Sequence, residues 1–237
     1  MSGEPLPDLP FADRRHAGQV LASALASALA HYTHRPDVLI LALPRGGVPV
    51  ATEVAAALGA DLDIFLVRKL GLPGHPEYAM GAIATGGVQV LNEDAIGWYH
   101  VPQDVVTAVV ASETVELERR EAAYRGGRTA TPIANRVAVI VDDGLATGAS
   151  MRAAVTEVRQ LKPSRIVVAV PVGAPSTCRD LERLADEVVC ARMPEPFSAV
   201  GQWYRDFSQT GDDEVQALLQ AHAESPQRAA AVDHVTG

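Results

Sequence analysis

The sequence predicts an α/β domain in which a parallel sheet carries helices on both faces. Two patterns predict it. Short apolar runs rich in Val, Ile and Leu recur along the chain, and most are followed by a segment whose apolar residues return at helical spacing. Three of these runs also end on groups with chemistry: Pro44-Arg45-Gly46-Gly47, Arg68-Lys69 and Asp142-Asp143. In a parallel sheet such ends share one edge, and ligands bind beyond that edge.

The elements follow in order. Pro5, Pro7 and Pro10 make residues 1 to 10 a loose arm. A helix from Phe11 to about His31 turns Val20, Leu21, Leu25 and Leu29 inward, with Asp13 available as its cap and Arg14 and Arg15 either reaching an anion or facing solvent, the second reading favoured. Asp37 to Leu43 is a buried strand, and a helix from Val48 to Leu58 follows its Arg-Gly-Gly turn. Asp61 to Val67 is the next strand. Gly71, Pro73, Gly74 and Pro76 make 70–80 a mobile loop, and 81–90 a hairpin around Gly86-Gly87. From Asn92 to about Arg125 a long helix with a mixed-charge face dominates; it faces solvent or a second subunit.

Val137 to Val141 is an apolar strand of the kind found at the centre of a parallel sheet. Asp142 and Asp143 follow it, then the loop Gly144-Leu145-Ala146-Thr147-Gly148-Ala149-Ser150 and a helix from about Met151 to Leu161. Small residues let backbone N–H groups approach an anion, Thr147 and Ser150 offer hydroxyls, and the helix N-terminus adds positive partial charge. Two carboxylates would repel a phosphate, so they require hydroxyl donors or a metal beside it. A sugar phosphate satisfies both halves. The chain continues with a strand at 165–172, a helix at 175–184, a short strand at 187–191 and a helix at 214–221.

This apolar strand, acidic pair and Thr-Gly loop resembles the phosphoribosyl-pyrophosphate (PRPP) motif of type I phosphoribosyltransferases, over roughly residues 37–191. Ala149 stands where that family often has Gly. The resemblance implies that Asp142 and Asp143 hold the ribose 2- and 3-hydroxyls while Ala146 to Ser150 wrap the 5-phosphate. It places Arg45, Gly46 and Gly47 on the diphosphate, brings Arg68 and Lys69 toward it, and puts His75, Glu77 and Tyr78 on a closing lid. A hood at about 192–221 would recognise the acceptor, with Phe197 and Trp203 or Tyr204 as stacking rings. Residues 1–221 then form one domain and 222–237 a disordered tail.

The implied activity is a Mg²⁺-dependent transfer of the 5-phosphoribosyl group from PRPP to a nitrogenous acceptor, as in nucleotide metabolism. Asp142, Asp143, Lys69 and Arg45 would be the catalytic set, and the metal would meet Asp142 and Asp143 directly, or through water or the ribose hydroxyls. A PRPP-binding regulator without turnover is the alternative. A phosphatase with an aspartate nucleophile would leave the second Asp and the Thr-Gly loop unused.

A formal net charge of −9 argues against a general nucleic-acid binder. No apolar run reaches the ~18 residues of a membrane span. The apolar stretch at 20–30 lacks the flanks of a signal peptide, so a cytoplasmic location is expected. Cys178 and Cys190 have no metal spacing and read as buried thiols. A homodimer is compatible with the resemblance.

Overall fold

The protein is described by a computed structural model covering residues 9–28, 30–72 and 75–225; at 28, 31 and 75–78 only the backbone is described. Residues 1–8 of the predicted arm, the lid residues Pro73 and Gly74, the lid side chains His75, Glu77 and Tyr78, Leu29 and most of the predicted tail lie outside that description.

Eight strands and seven α-helices are present among the described residues: α1 (Arg14–Ala28), β1 (Val38–Ala42), α2 (Gly47–Leu58), β2 (Asp61–Ile64), β3 (Val67–Leu72), β4 (His75–Ala84), β5 (Val88–Leu91), α3 (Glu93–Trp98), α4 (Gln103–Arg125), β6 (Val137–Val141), α5 (Ala149–Gln160), β7 (Arg165–Val172), α6 (Pro175–Leu181), β8 (Glu187–Arg192) and α7 (Asp212–Ala223). The central sheet runs β2-β1-β6-β7-β8 with every pair parallel. Residues of alternating register enter different cores. Ile40, Ala42, Val139, Val141, Val167 and Ala169 pack with α1, α2 and α7, whereas Leu39, Leu41, Ile140 and Val168 pack with α5 and α6. This is the predicted parallel sheet with helices on both faces, and the apolar runs of β1 and β6 are uninterrupted because both faces are covered.

Helix boundaries follow local chemistry. Asp13 Oδ1 accepts the His16 N–H at 2.7 Å, the cap expected for α1. Asn92 caps α3 by accepting from the Ala95 N–H at 3.0 Å. The long polar helix is broken before Pro102, so 93–98 and 103–125 are separate helices.

One expectation is overturned. The stretch 70–80 is not a loop but parts of β3 and β4, which with β5 make a three-stranded antiparallel sheet. Leu70, Leu72, Met80 and Ile83 are buried and hold it to the body. The glycines and prolines disguise this, because Gly71 sits at a register shift between the strands. The predicted strand 61–67 is correspondingly two. β2 ends at Ile64, Leu66 turns away by accepting from the Thr85 N–H and donating to Thr85 Oγ1, and β3 begins in the other sheet.

Glu157 on α5 is 1 % exposed, and its Oε2 has no hydrogen-bond partner among the described residues. Burial raises its pKa from 4.5 to about 7. A raised carboxyl pKa contributes stability at low pH that falls away as pH climbs from about 4.5 to about 7. Glu157→Gln should therefore flatten that decline and be the more stable protein at pH 8, by about 1–3 kcal/mol. Urea unfolding from pH 5 to 8 checks it; an unchanged slope would show that Glu157 is solvated.

Candidate functional site

The candidate site forms where β1 and β6 end side by side. At the end of β1 the chain turns through Pro44-Arg45, a cis peptide, into Gly46-Gly47 and α2. A Cβ on Gly46 would lie 2.1 Å from Asp143 Oδ2, and one on Gly47 would lie 2.7 Å from the Val141 carbonyl and 3.0 Å from the Asp142 Cα. Glycine is required here by close approach: the turn after β1 rests directly on the acidic pair after β6.

Asp142 Oδ1 accepts the Asp143 N–H at 2.9 Å. Burial and then the Asp143 charge push the Asp142 pKa well above the usual carboxylate range. Burial also raises Asp143, opposed by Arg14, whose Nε stands 2.8 Å from Asp143 Oδ2. Two neighbouring half-buried carboxylates with raised pKa values are a pattern typical of functional sites. The Asp143 carbonyl is also engaged, accepting from Tyr204 Oη at 2.6 Å.

The loop beyond is fixed from behind. The Leu145 N–H donates to the Val172 carbonyl, its own carbonyl accepts from the Ala174 N–H, and Ala146's carbonyl accepts from Thr177 Oγ1 at 2.7 Å. Arg152 donates to the Thr147 carbonyl. Gly148 caps α5 with φ +70°, where a Cβ would strike Thr177. Gly144 and Leu145 are buried, while Thr147, Ala149 and Ser150 are exposed. The first N–H groups of the 12-residue α5 have no partner within the helix and carry its positive end.

The predicted cations sit in different surroundings. Lys69 is exposed on β3. Arg68 is paired to Glu113 at 2.5 Å and to Glu116 at 3.9 Å, both on α4. Arg45 Nη1 lies 3.5 Å from Asp212 at the start of α7. Asp212 in turn accepts from Tyr124 Oη at 2.8 Å. Although Arg68 and Lys69 leave the central sheet, a cavity of about 300 Å³ still joins them to Leu43, Pro44 and Ser150, with Glu113 and Arg120 of α4 on its wall. Of the three groups predicted to converge, the turn after β1 and the acidic pair meet at the edge of the central sheet, whereas Arg68 and Lys69 belong to the antiparallel sheet and share a cavity with Pro44 that neither Arg45 nor the acidic pair lines.

Phe197 lines an open depression with Ala174, Pro175, Ser176, Glu195 and Pro196. Tyr204, read as an alternative stacking ring to Trp203, is 6 % exposed, with its ring 5.4 Å from that of Phe11 and 4.9 Å from that of Phe207. It supports Asp143 from behind and presents no free face. Cys178 is buried and Cys190 half-buried, and both are free thiols. Among the described residues no group of three or more His, Cys, Asp or Glu side chains is placed to hold a metal, and no helix is long and apolar enough to cross a membrane.

A phosphoribosyl transferase domain model matches residues 12–202. The chain belongs to the phosphoribosyl transferase family. Two Mycobacterium tuberculosis relatives, each named "Putative phosphoribosyl transferase", are 46% identical over 223 residues, which is 94% of this chain and 49% of theirs. The chain therefore spans about half the length of the curated relatives it matches. The crystal structure of TT1426 from Thermus thermophilus is similar at 45% identity, with a TM-score of 0.77 over 89% of this chain and 98% of that one. The family assignment agrees with the resemblance read from the acidic pair and its loop.

Arg14 was missed by sequence reasoning. It stands 129 residues from its partner, and no local pattern separates it from Arg15, which is solvent-exposed and paired to Glu53 at 2.9 Å.

Proposed function

We propose that the protein transfers the 5-phosphoribosyl group of PRPP to a nitrogenous acceptor, releasing pyrophosphate. The observation that carries this reading is the contact between Gly46-Gly47 and Asp142-Asp143, with the α5 N-terminus opening beside it. That arrangement offers carboxylates for hydroxyl groups and backbone N–H groups for phosphate within one edge of the sheet.

In this reading the 5-phosphate lies on the loop 146–150, where Thr147 and Ser150 expose their hydroxyls. The ribose hydroxyls donate to Asp142 and Asp143. The diphosphate meets Gly46, Gly47, Arg45 and Lys69, with Arg45 exchanging its contact with Asp212 for the ligand. As the bond at C1 breaks, positive charge grows on the ribose and negative charge on the leaving diphosphate; the carboxylates suit the first and the cations the second. The donor set fits a Mg²⁺ that arrives on the diphosphate, since Mg²⁺ takes one or two carboxylates plus substrate phosphates. Asp142 and Asp143 are the residues that would hold it, and it would neutralise leaving-group charge. Phe197, at the depression beside Ala174, is the candidate contact for the acceptor. Residues 1–221 act as one domain in this proposal.

Calorimetry of PRPP binding with Mg²⁺ and with chelator tests the donor site. Pyrophosphate release over a panel of bases and amines then tests turnover. Saturable Mg²⁺-dependent binding with release supports the transferase; binding without release against any acceptor assigns the chain as a PRPP-responsive regulator. No binding by folded protein ends both readings. Gly46→Ala supplies an internal check: its methyl group displaces Asp143 Oδ2, so PRPP affinity should fall about tenfold in a folded protein.

A further inference from the structure

We propose that Arg14 is a positioning residue for the site, holding Asp143 so that its Oδ1 is the oxygen offered to the ribose; this rests on the PRPP reading above. Three contacts fix the guanidinium. Its Nε meets Asp143 Oδ2 at 2.8 Å, its Nη1 donates to the Ser208 carbonyl at 2.6 Å, and its Cζ lies 4.0 Å above the Phe207 ring. The Arg14 side chain is 12% exposed and that of Asp143 15%.

These contacts define what each Asp143 atom can do. Oδ2 is enclosed between Arg14 and the bare Cα of Gly46. The main-chain carbonyl is occupied by Tyr204. Among the described residues no other residue donates to Oδ1. Arg14 thus converts a carboxylate that could rotate between two equivalent oxygens into one with a single presented acceptor. A lysine could match the charge but not the fork that serves Asp143 and Ser208 together.

The same geometry argues against Arg14 as a phosphate ligand. To meet an anion it would leave Asp143, Ser208 and Phe207 at once, and an uncompensated carboxylate would stay behind. Its effect should therefore reach the ligand only through what Asp143 holds, the ribose hydroxyls and any Mg²⁺ beside them.

That distinction is the test. Calorimetry on the wild-type protein, Arg14→Gln, Arg14→Lys and Phe207→Leu uses two probes, PRPP with Mg²⁺ and inorganic pyrophosphate with chelator. Arg14→Gln should weaken PRPP by 10- to 100-fold, the usual consequence of removing the group that orients a ligating carboxylate. Pyrophosphate affinity should change less than about twofold, because that probe has no ribose and, without Mg²⁺, brings no metal to Asp143. Arg14→Lys should recover part of the loss. Phe207→Leu, which removes the ring but no charge, should lose a few-fold against PRPP alone and keeps the test open if Arg14→Gln does not fold. Equal losses for both probes would overturn the proposal, making Arg14 a phosphate ligand or a general support of the Gly46 turn. Unchanged PRPP binding by folded Arg14→Gln would overturn it as well. A wild-type protein that fails to bind PRPP overturns the reading beneath it, a result recognisable before any variant is made.

Discussion

Asp142→Asn is expected to weaken PRPP binding about 100-fold and to make the protein more stable. The two effects have one cause. Asp142 follows the buried strand β6, lies against the bare Cα of Gly47, and has a second carboxylate as its neighbour. Burial and the Asp143 charge both disfavour its ionised form. An acid raised in this way contributes stability at low pH that is lost as pH climbs through its folded value, so the cost is fully felt at alkaline pH. An Asn of the same shape keeps the acceptor for the Asp143 N–H and removes the charge, so the variant should gain on the order of 1 kcal/mol at pH 8. The ligand loses a charged hydrogen-bond acceptor, worth about 1.5–3 kcal/mol, which is roughly 10- to 150-fold in affinity. Thermal unfolding at pH 8 and PRPP calorimetry on one preparation measure both. A variant that is less stable and binds normally would mean that Asp142 serves the fold and not the ligand.

The parts of the site that were legible in the sequence are those written contiguously. Strand, acidic pair, small-residue loop and helix occupy residues 137–160 without a break, and each step follows from local chemistry. The Arg-Gly-Gly turn after β1 was legible for the same reason. What the spacing could not reveal is why two glycines are needed there. The answer is contact with residues nearly one hundred positions later, at Val141 to Asp143.

The illegible parts depend on separation or on disguise. Arg14 and Tyr204 reach Asp143 from opposite ends of the chain, and no local pattern ties either of them to it. The antiparallel sheet was hidden because glycine and proline normally mark loops, and Gly71 here sits at a register shift inside a strand. Alternating burial of Leu70 and Leu72 was the available signal, and it spans too few residues to outweigh them. Glu157 was hidden differently: one carboxylate in an amphipathic helix looks like its polar face, and only packing shows it on the buried side.

A second large effect is expected at a place the sequence did not mark. Asp63 on β2 and Arg125 at the end of α4 form an ion pair, 2.9 Å from Nε to Oδ1, with the two residues 7 % and 6 % exposed. Asp63 also accepts the Ile64 N–H at 2.8 Å and the Thr131 N–H at 2.7 Å. Arg125 donates to the Ile64 carbonyl at 3.2 Å and has Glu121 3.4 Å away. Removing one partner of a buried pair costs about 3–5 kcal/mol, because the other charge is left without its counterion. The two removals should not be equal. After Arg125→Ala the carboxylate still accepts two backbone N–H groups, whereas Asp63→Ala strands those two donors and leaves the guanidinium only the Ile64 carbonyl and Glu121, so Asp63→Ala should lie at the upper end of the range. Denaturant midpoints at constant m-value give both numbers. The functional consequence follows from the position of α4, whose Glu113 and Arg120 line the cavity beside Lys69. Releasing its C-terminal turn should loosen that wall, so PRPP affinity should fall in both variants before the protein unfolds. Midpoints within error of the wild type would show that water reaches the pair and that α4 is held by its apolar face alone.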